Sequence, residues 1–228
     1  LRPSGSAGPI ATNLEAFIRY HQDNAWTWEH MALTRARVVY GTGNLASRIE
    51  EIIHSTLTAP RDRDMLLVDV AKMRKRIEQE HQTKCLWDAK HFRGGLVDIE
   101  FIAQYLELKH AHEHSDILNQ STAAALTRLR DTNLIDTDQA EALLATLELW
   151  QAVQGMLRLT LDGEITNITE DALPVGLQKT LAAYCGYDSF DFLKDTLSQQ
   201  AQTVYDVFKQ LIENPAENLA QTAKPKQT

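Results

Sequence analysis

A chain of 228 residues and 25.7 kDa is long enough for one large domain or two small ones, and a hydrophobic content of 43% is that of a globular protein. The net charge of −8 argues against a generic nucleic-acid surface, which needs a cationic field to neutralise phosphates, and leaves room only for a local basic groove. No apolar run approaches the roughly 18 to 20 residues of a membrane span, and Cys85 and Cys185 lie far apart without CxxC or His/Cys ligand spacing, so the sequence predicts a cytoplasmic protein with free thiols and no zinc.

Residues 1–11, LRPSGSAGPIA, contain Pro3, Gly5, Gly8 and Pro9 and are predicted as a loop. Thr12 or Asn13 then caps a short helix bearing Leu14, Phe17, Ile18 and Tyr20. Asn24 caps a second, through Trp28, Met31 and Arg35 to a stop at Gly41. From Asn44 to Ala59, Leu45, Ile49, Ile52, Ile53 and Leu57 recur at helical spacing, ended by Pro60. Asp62 or Asp64 starts a long amphipathic stretch through Leu67, Val70, Met73 and Ile77, closing on the charged run MRKRIEQEH.

After a connector, WDAKHFRGG, helices are predicted over 96–112, 121–132, 137–162, 174–185 and 189–213, and residues 215–228 as a disordered polar tail. Cys185 reads as a buried thiol at a helix end, stopped by Gly186. The expectation is an all-α protein: a bundle of about eight helices over 12–214, with a short non-helical start.

GGLVDIEF, residues 94–101, poses the main chemical question. On a strand Asp98 and Glu100 would leave from one face, as paired metal-binding carboxylates do; on a helix they diverge by about 200°. Val97–Phe101 alternates like a strand, but Ile102, Ala103, Tyr105, Leu106 and Leu108 extend a helical pattern over a longer window, so helix is preferred. Glu100 then shares a polar stripe with Gln104 and Glu107. Asp98 falls within about 40° of Ile102 and Tyr105 and faces inward. A buried carboxylate needs a partner, and Arg93, Arg35 and Arg37 are the candidates; a structural ion pair and a role at a ligand both remain open. His110 and His114 share a helical face but His112 does not, and histidines in a last turn already suit the helix dipole, so no metal site is expected.

The stretches LRPSGSAG, WTWEHMALTRARVVYG, MRKRIEQEH and KHFRGGLVDIEFIAQYLEL, in this order, resemble the bacterial glutamine synthetase adenylyltransferase, a bifunctional adenylylating and adenylyl-removing enzyme. That family has two similar halves, each a nucleotidyltransferase domain followed by a helical bundle, and KHFRGGLVDIEF with Trp26 and Trp28 resembles the second half. The resemblance implies that residues 1–11 are the end of a nucleotidyltransferase domain whose metal-binding acids lie upstream of Leu1, so the isolated chain is expected to be inactive. In that superfamily about ten or more residues separate the glycine turn from the acids; here Gly95 and Asp98 have only two between them.

By the same resemblance Arg2, Ser4 and Gly5 lie beside the nucleotide, and Trp28, Glu29 and Arg35 face the catalytic domain. The blander alternatives are a surface loop for the first set, and core tryptophans with an intrahelical ion pair for the second. ATP and magnesium are implied for the intact enzyme, with glutamine synthetase and the PII signal protein as partners. The competing expectation is a free-standing helical interaction module without an enzymatic parent.

Overall fold

A computed structural model describes residues 11–83, 85–161 and 173–222. They form α1 (Leu14–Asp23), α2 (Thr27–Leu33), α3 (Leu45–Leu57), α4 (Arg63–His81), α5 (Leu96–His110), α6 (Thr122–Asp131), α7 (Thr137–Thr160), α8 (Val175–Tyr184), α9 (Phe190–Phe208) and α10 (Asn214–Thr222). No strand occurs among the described residues, and the protein is all-α.

Short polar side chains start five of these ten helices by accepting backbone N–H groups that have no partner in the first turn. Asn13 accepts from Ala16 at 2.8 Å and Asp62 from Asp64 and Met65, both at 2.9 Å. Ser121, Asp136 and Ser189 do the same for α6, α7 and α9. Arg61 closes the other end of α3, donating to the carbonyls of Thr56, Leu57 and Ala59. At the end of α8, Gly186 takes φ +80° and the Tyr187 N–H returns to the Ala182 carbonyl at 2.9 Å, with Cys185 half-buried beside it.

Two segments depart from the sequence expectation. The second helix does not run from Asn24 to Gly41. It begins at Thr27, with Glu29 reaching back to the Trp26 N–H at 2.9 Å, and ends at Leu33. Residues 36–41 are irregular; they include Val38 and Val39, whose branched side chains lose rotamer freedom in a helix.

The polar tail is also not a tail from its first residue. Residues 214–222 form α10, which packs on α4 and buries Ala216. Asn214–Pro215 reads as a turn because proline has no N–H and its ring strikes the carbonyl four residues back. A π turn over Lys209–Glu213 resolves this, with the Asn214 N–H bonding the Lys209 carbonyl, so the chain stays helical past the proline.

Helix α5 is the axis of the bundle. It packs against α2, α4, α6, α7 and α9, and 11 of its 15 residues are buried. The polar stripe expected on it is not solvated: Gln104 and Glu107 are buried and Glu100 is half-buried. A helix surrounded on all sides has no water-facing stripe, whatever its sequence period. Around it, α7 packs on α6, α8 and α9, closing over the fully buried Trp150 and Phe208. Burial of each such side chain stabilises the fold by about 1.5–3 kcal/mol.

Candidate functional site

The double glycine fixes where α5 begins. Gly94 has φ +78°, and a Cβ there would lie 1.8 Å from the Ala201 carbonyl oxygen of α9. A Cβ on Gly95 would lie 2.5 Å from the Ala89 carbonyl oxygen. Trp150 Nε1 donates to the Gly94 carbonyl at 3.0 Å, pinning the turn to α7. The glycines therefore serve close backbone packing. Asp98, three residues into the helix, accepts the Gly94 N–H on Oδ2 at 2.6 Å.

Asp98 is fully buried, and its Oδ1 accepts from Arg74 Nε and from Arg93 Nη1, the latter at 3.2 Å. Arg74, also fully buried, donates through Nη2 to the His91 carbonyl at 3.2 Å. Arg93 donates through Nη2 to Glu213, and its guanidinium carbon lies 4.5 Å from the Tyr205 ring centroid and 5.3 Å from that of Phe208. One carboxylate and two guanidinium groups thus tie α4, the connector, α5, α9 and the π turn together.

Arg93 was among the three expected arginines; Arg35 and Arg37 do not reach Asp98. Arg35 instead pairs with Glu100 at 2.5 Å, with side chains 47% and 30% exposed, and Arg37 lines a cleft with Glu50 and His54. The partner that sequence reasoning missed is Arg74. It was hidden inside the charged run MRKRIEQEH, although it lies four residues after Val70 and seven after Leu67, on the apolar stripe of α4.

Asp98 and Glu100 diverge as a helix requires. The Asp98 oxygens are engaged by two cations and an N–H, so a divalent ion would have to displace guanidinium groups to bind there. Among the described residues no group of three or more His, Cys, Asp or Glu is placed to hold a metal. The described residues do not fit a magnesium site. Arg2, Ser4 and Gly5 lie outside the described residues.

The histidines at and after the end of α5 do not gather. His112 Nδ1 turns to the Thr58 carbonyl at 3.1 Å, while burial, then the charges of Lys109 and Arg63, push the His110 imidazole down to about 4. His110 is therefore uncharged at neutral pH and does not complement the helix dipole as the sequence suggested. Glu107, nearly inaccessible, accepts the Asn119 N–H at 2.9 Å; burial, only partly offset by this bond, by the Thr34 hydroxyl and by Arg128, raises its carboxyl to about 8.

Glu29 is not at a surface. It is buried, accepting the Tyr20 hydroxyl at 2.6 Å and the Trp26 N–H at 2.9 Å. The tryptophans beside it are not core residues: Trp26 is 71% exposed and Trp28 39%. They line a groove of about 420 Å³ with Lys72, Met73 and Arg76 of α4. A second hollow of about 310 Å³ shares Trp28 and Met73 with it and continues past Arg35 and Glu100 to Phe101 of α5.

Residues 1–52 match the family model described as glutamate-ammonia ligase adenylyltransferase, and residues 68–212 match the one described as GlnD PII-uridylyltransferase. The larger part of this all-α body thus matches a uridylyltransferase model, which points to the nucleotidyltransferase class.

Among its relatives is the bifunctional glutamine synthetase adenylyltransferase/adenylyl-removing enzyme of Rhodopseudomonas palustris strain TIE-1, 41% identical over 93% of this chain and 21% of that protein. The proteins of the same name from Bradyrhizobium diazoefficiens strain USDA 110 and Xanthobacter autotrophicus strain Py2 are 39% and 37% identical, over 93% and 95% of this chain and 21% and 22% of theirs. The chain belongs to the family of bacterial glutamine synthetase adenylyltransferases/adenylyl-removing enzymes, and spans about a fifth of the length of these relatives.

Proposed function

We propose that this chain is a helical part of a cytoplasmic enzyme that, as a whole, transfers AMP from ATP to a tyrosine of glutamine synthetase and, in its other half, removes it. Magnesium and ATP serve the intact enzyme, and PII is its signalling partner. Arg2, Ser4 and Gly5 lie on the nucleotide side, where an arginine suits phosphate charge and glycine permits close backbone approach. The observation that carries this reading is the match of residues 1–52 to the adenylyltransferase model, joined to similarity along 93% of the chain.

The geometry supports a scaffold rather than a reaction centre. Asp98 and Glu100 are each paired to arginine, Glu29 is used within the fold, and Glu107 is held as a buried acid. None presents a free carboxylate pair to a nucleotide. The test is incorporation of labelled AMP into glutamine synthetase in the presence of ATP and Mg²⁺. The 228-residue chain is expected to incorporate none, whereas a longer polypeptide joining it to a nucleotidyltransferase domain is expected to do so. Turnover by the chain alone at the rate of the longer protein overturns the proposal.

A further inference from the structure

A cavity of about 560 Å³ opens where α1, α2 and the end of α3 meet the start of α4. Its wall includes His21, His30, Thr56, Arg61, Asp62 and Asp69, none of which belongs to the Asp98 network. Arg61 is the group there that the fold leaves unmatched. Three of its five N–H groups go to the carbonyls of Thr56, Leu57 and Ala59, at 2.6 to 2.9 Å, and these bonds fix the guanidinium plane. Nε–H and one Nη2 hydrogen have no partner, and among the described residues no carboxylate pairs with the cation. Burial lowers its pKa with no nearby acid to offset the shift, and the partial charge on the last α3 carbonyls meets only part of that cost.

The acids in the wall are engaged elsewhere. Asp62 accepts the Asp64 and Met65 N–H groups, both at 2.9 Å, and Asp69 accepts the Thr27 hydroxyl at 2.6 Å. The histidines bring no charge at neutral pH: burial holds His21 below the ordinary imidazole value, and burial with the charge of Arg61 does the same for His30. His21, only 8% exposed, leaves Nδ1 without a partner. The cavity therefore presents one cation and several neutral polar groups with no anion assigned to them.

We infer that this cavity binds the oxyanion group, phosphate or carboxylate, of a small molecule, with Arg61 as its counter-charge. The guanidinium is already oriented by three carbonyls, so little order has to be imposed on it when the anion arrives. Its uncommitted N–H groups give charge-assisted hydrogen bonds to such an anion. The volume exceeds that of a bare phosphate and falls among those of small-molecule sites, roughly 300–1,000 Å³. An organic body has room beside Pro60, Met65 and Leu66, while Asp62 and Asp69 repel the anionic group from their side and so orient the molecule. The site uses only side chains of α1–α4 and their links, and stands apart from the AMP transfer proposed above.

The test is NMR of the ¹⁵N-labelled 228-residue chain, following the Arg61 Nε–H and the Thr56 amide. Sodium phosphate and sodium acetate are titrated separately, against sodium chloride at matched ionic strength. Both resonances are expected to shift and saturate at millimolar concentration with at least one oxyanion and to stay in place with chloride; the tighter arm tells phosphate from carboxylate. Arg61→Gln, which removes the charge, should abolish the saturable shift of the Thr56 amide. Arg61→Lys keeps the charge without the planar fork and should weaken binding at least tenfold. Each variant is first shown to unfold cooperatively. Shifts that are linear in salt and equal for chloride overturn the inference and leave Arg61 a helix cap alone. Unchanged affinity in a folded Arg61→Gln overturns it as well. Where neither variant folds, the Arg61 resonance of the unmodified chain decides.

Discussion

Helices α3 and α5 were both read as helices in the sequence, α5 only because its longer helical pattern outweighed a short strand-like alternation, and they ended in opposite circumstances. The stripe of α3 is apolar and regular, yet most of it lies at a half-covered surface; α5, whose sequence shows polar positions at Glu100, Gln104 and Glu107, is enclosed on nearly every side. An apolar stripe states what a helix needs to bury, and says nothing about whether the neighbour that buries it lies within the same 228 residues. In the bundle around α5 the neighbours are all present, and even its charges are matched internally. Among the described residues α1 buries only His21 and α3 only Leu57.

The largest test of this contrast is Gly94→Ala. The added methyl meets the α9 backbone in a left-handed conformation, so a loss of about 4 kcal/mol or more is expected, read as failure to give a cooperative unfolding transition. A variant that unfolds at the wild-type urea midpoint would show that the turn is free to move.

Next is Asp98→Asn, which leaves the fully buried Arg74 without its counter-charge and takes one of its acidic partners from Arg93; it should cost about 3–5 kcal/mol, with a lower melting temperature at neutral pH. An unchanged melting curve contradicts the burial of this network.

Glu107 sharpens the comparison through pH. Its folded carboxyl is raised to about 8 while the unfolded one titrates near the ordinary carboxyl value of 4.5. Its stabilising effect is therefore complete below the unfolded value and is lost as pH rises through the folded one. Between pH 5 and pH 8 wild-type stability should fall by on the order of 3 kcal/mol from this group, and Glu107→Gln should flatten that slope. Parallel stability–pH curves for the two proteins would show that the carboxyl is solvated.

The smallest effect belongs to the under-covered layer. Arg35→Ala breaks a half-exposed pair with Glu100, and by chemical denaturation of the chain it should cost about 1 kcal/mol or less. A loss as large as that of Asp98→Asn would place Arg35 in the core network.

Sequence alone determined the helices and much of their punctuation. Capping side chains and the 3.6-residue period act over a few residues, so Asn13 and Asp62, each one of two candidates, could be read without knowing their surroundings. It also determined that Asp98 and Glu100 point apart. The tertiary structure decided the partners: that Asp98 meets Arg74 from 24 residues away, that Arg93 reaches Glu213 across 120, and that Pro215 is carried inside a helix by a π turn. It also left the tryptophans of α2 at the surface. Those outcomes depend on which elements approach one another in space, and a local pattern carries no term for a neighbour that arrives from elsewhere in the chain, or from beyond it.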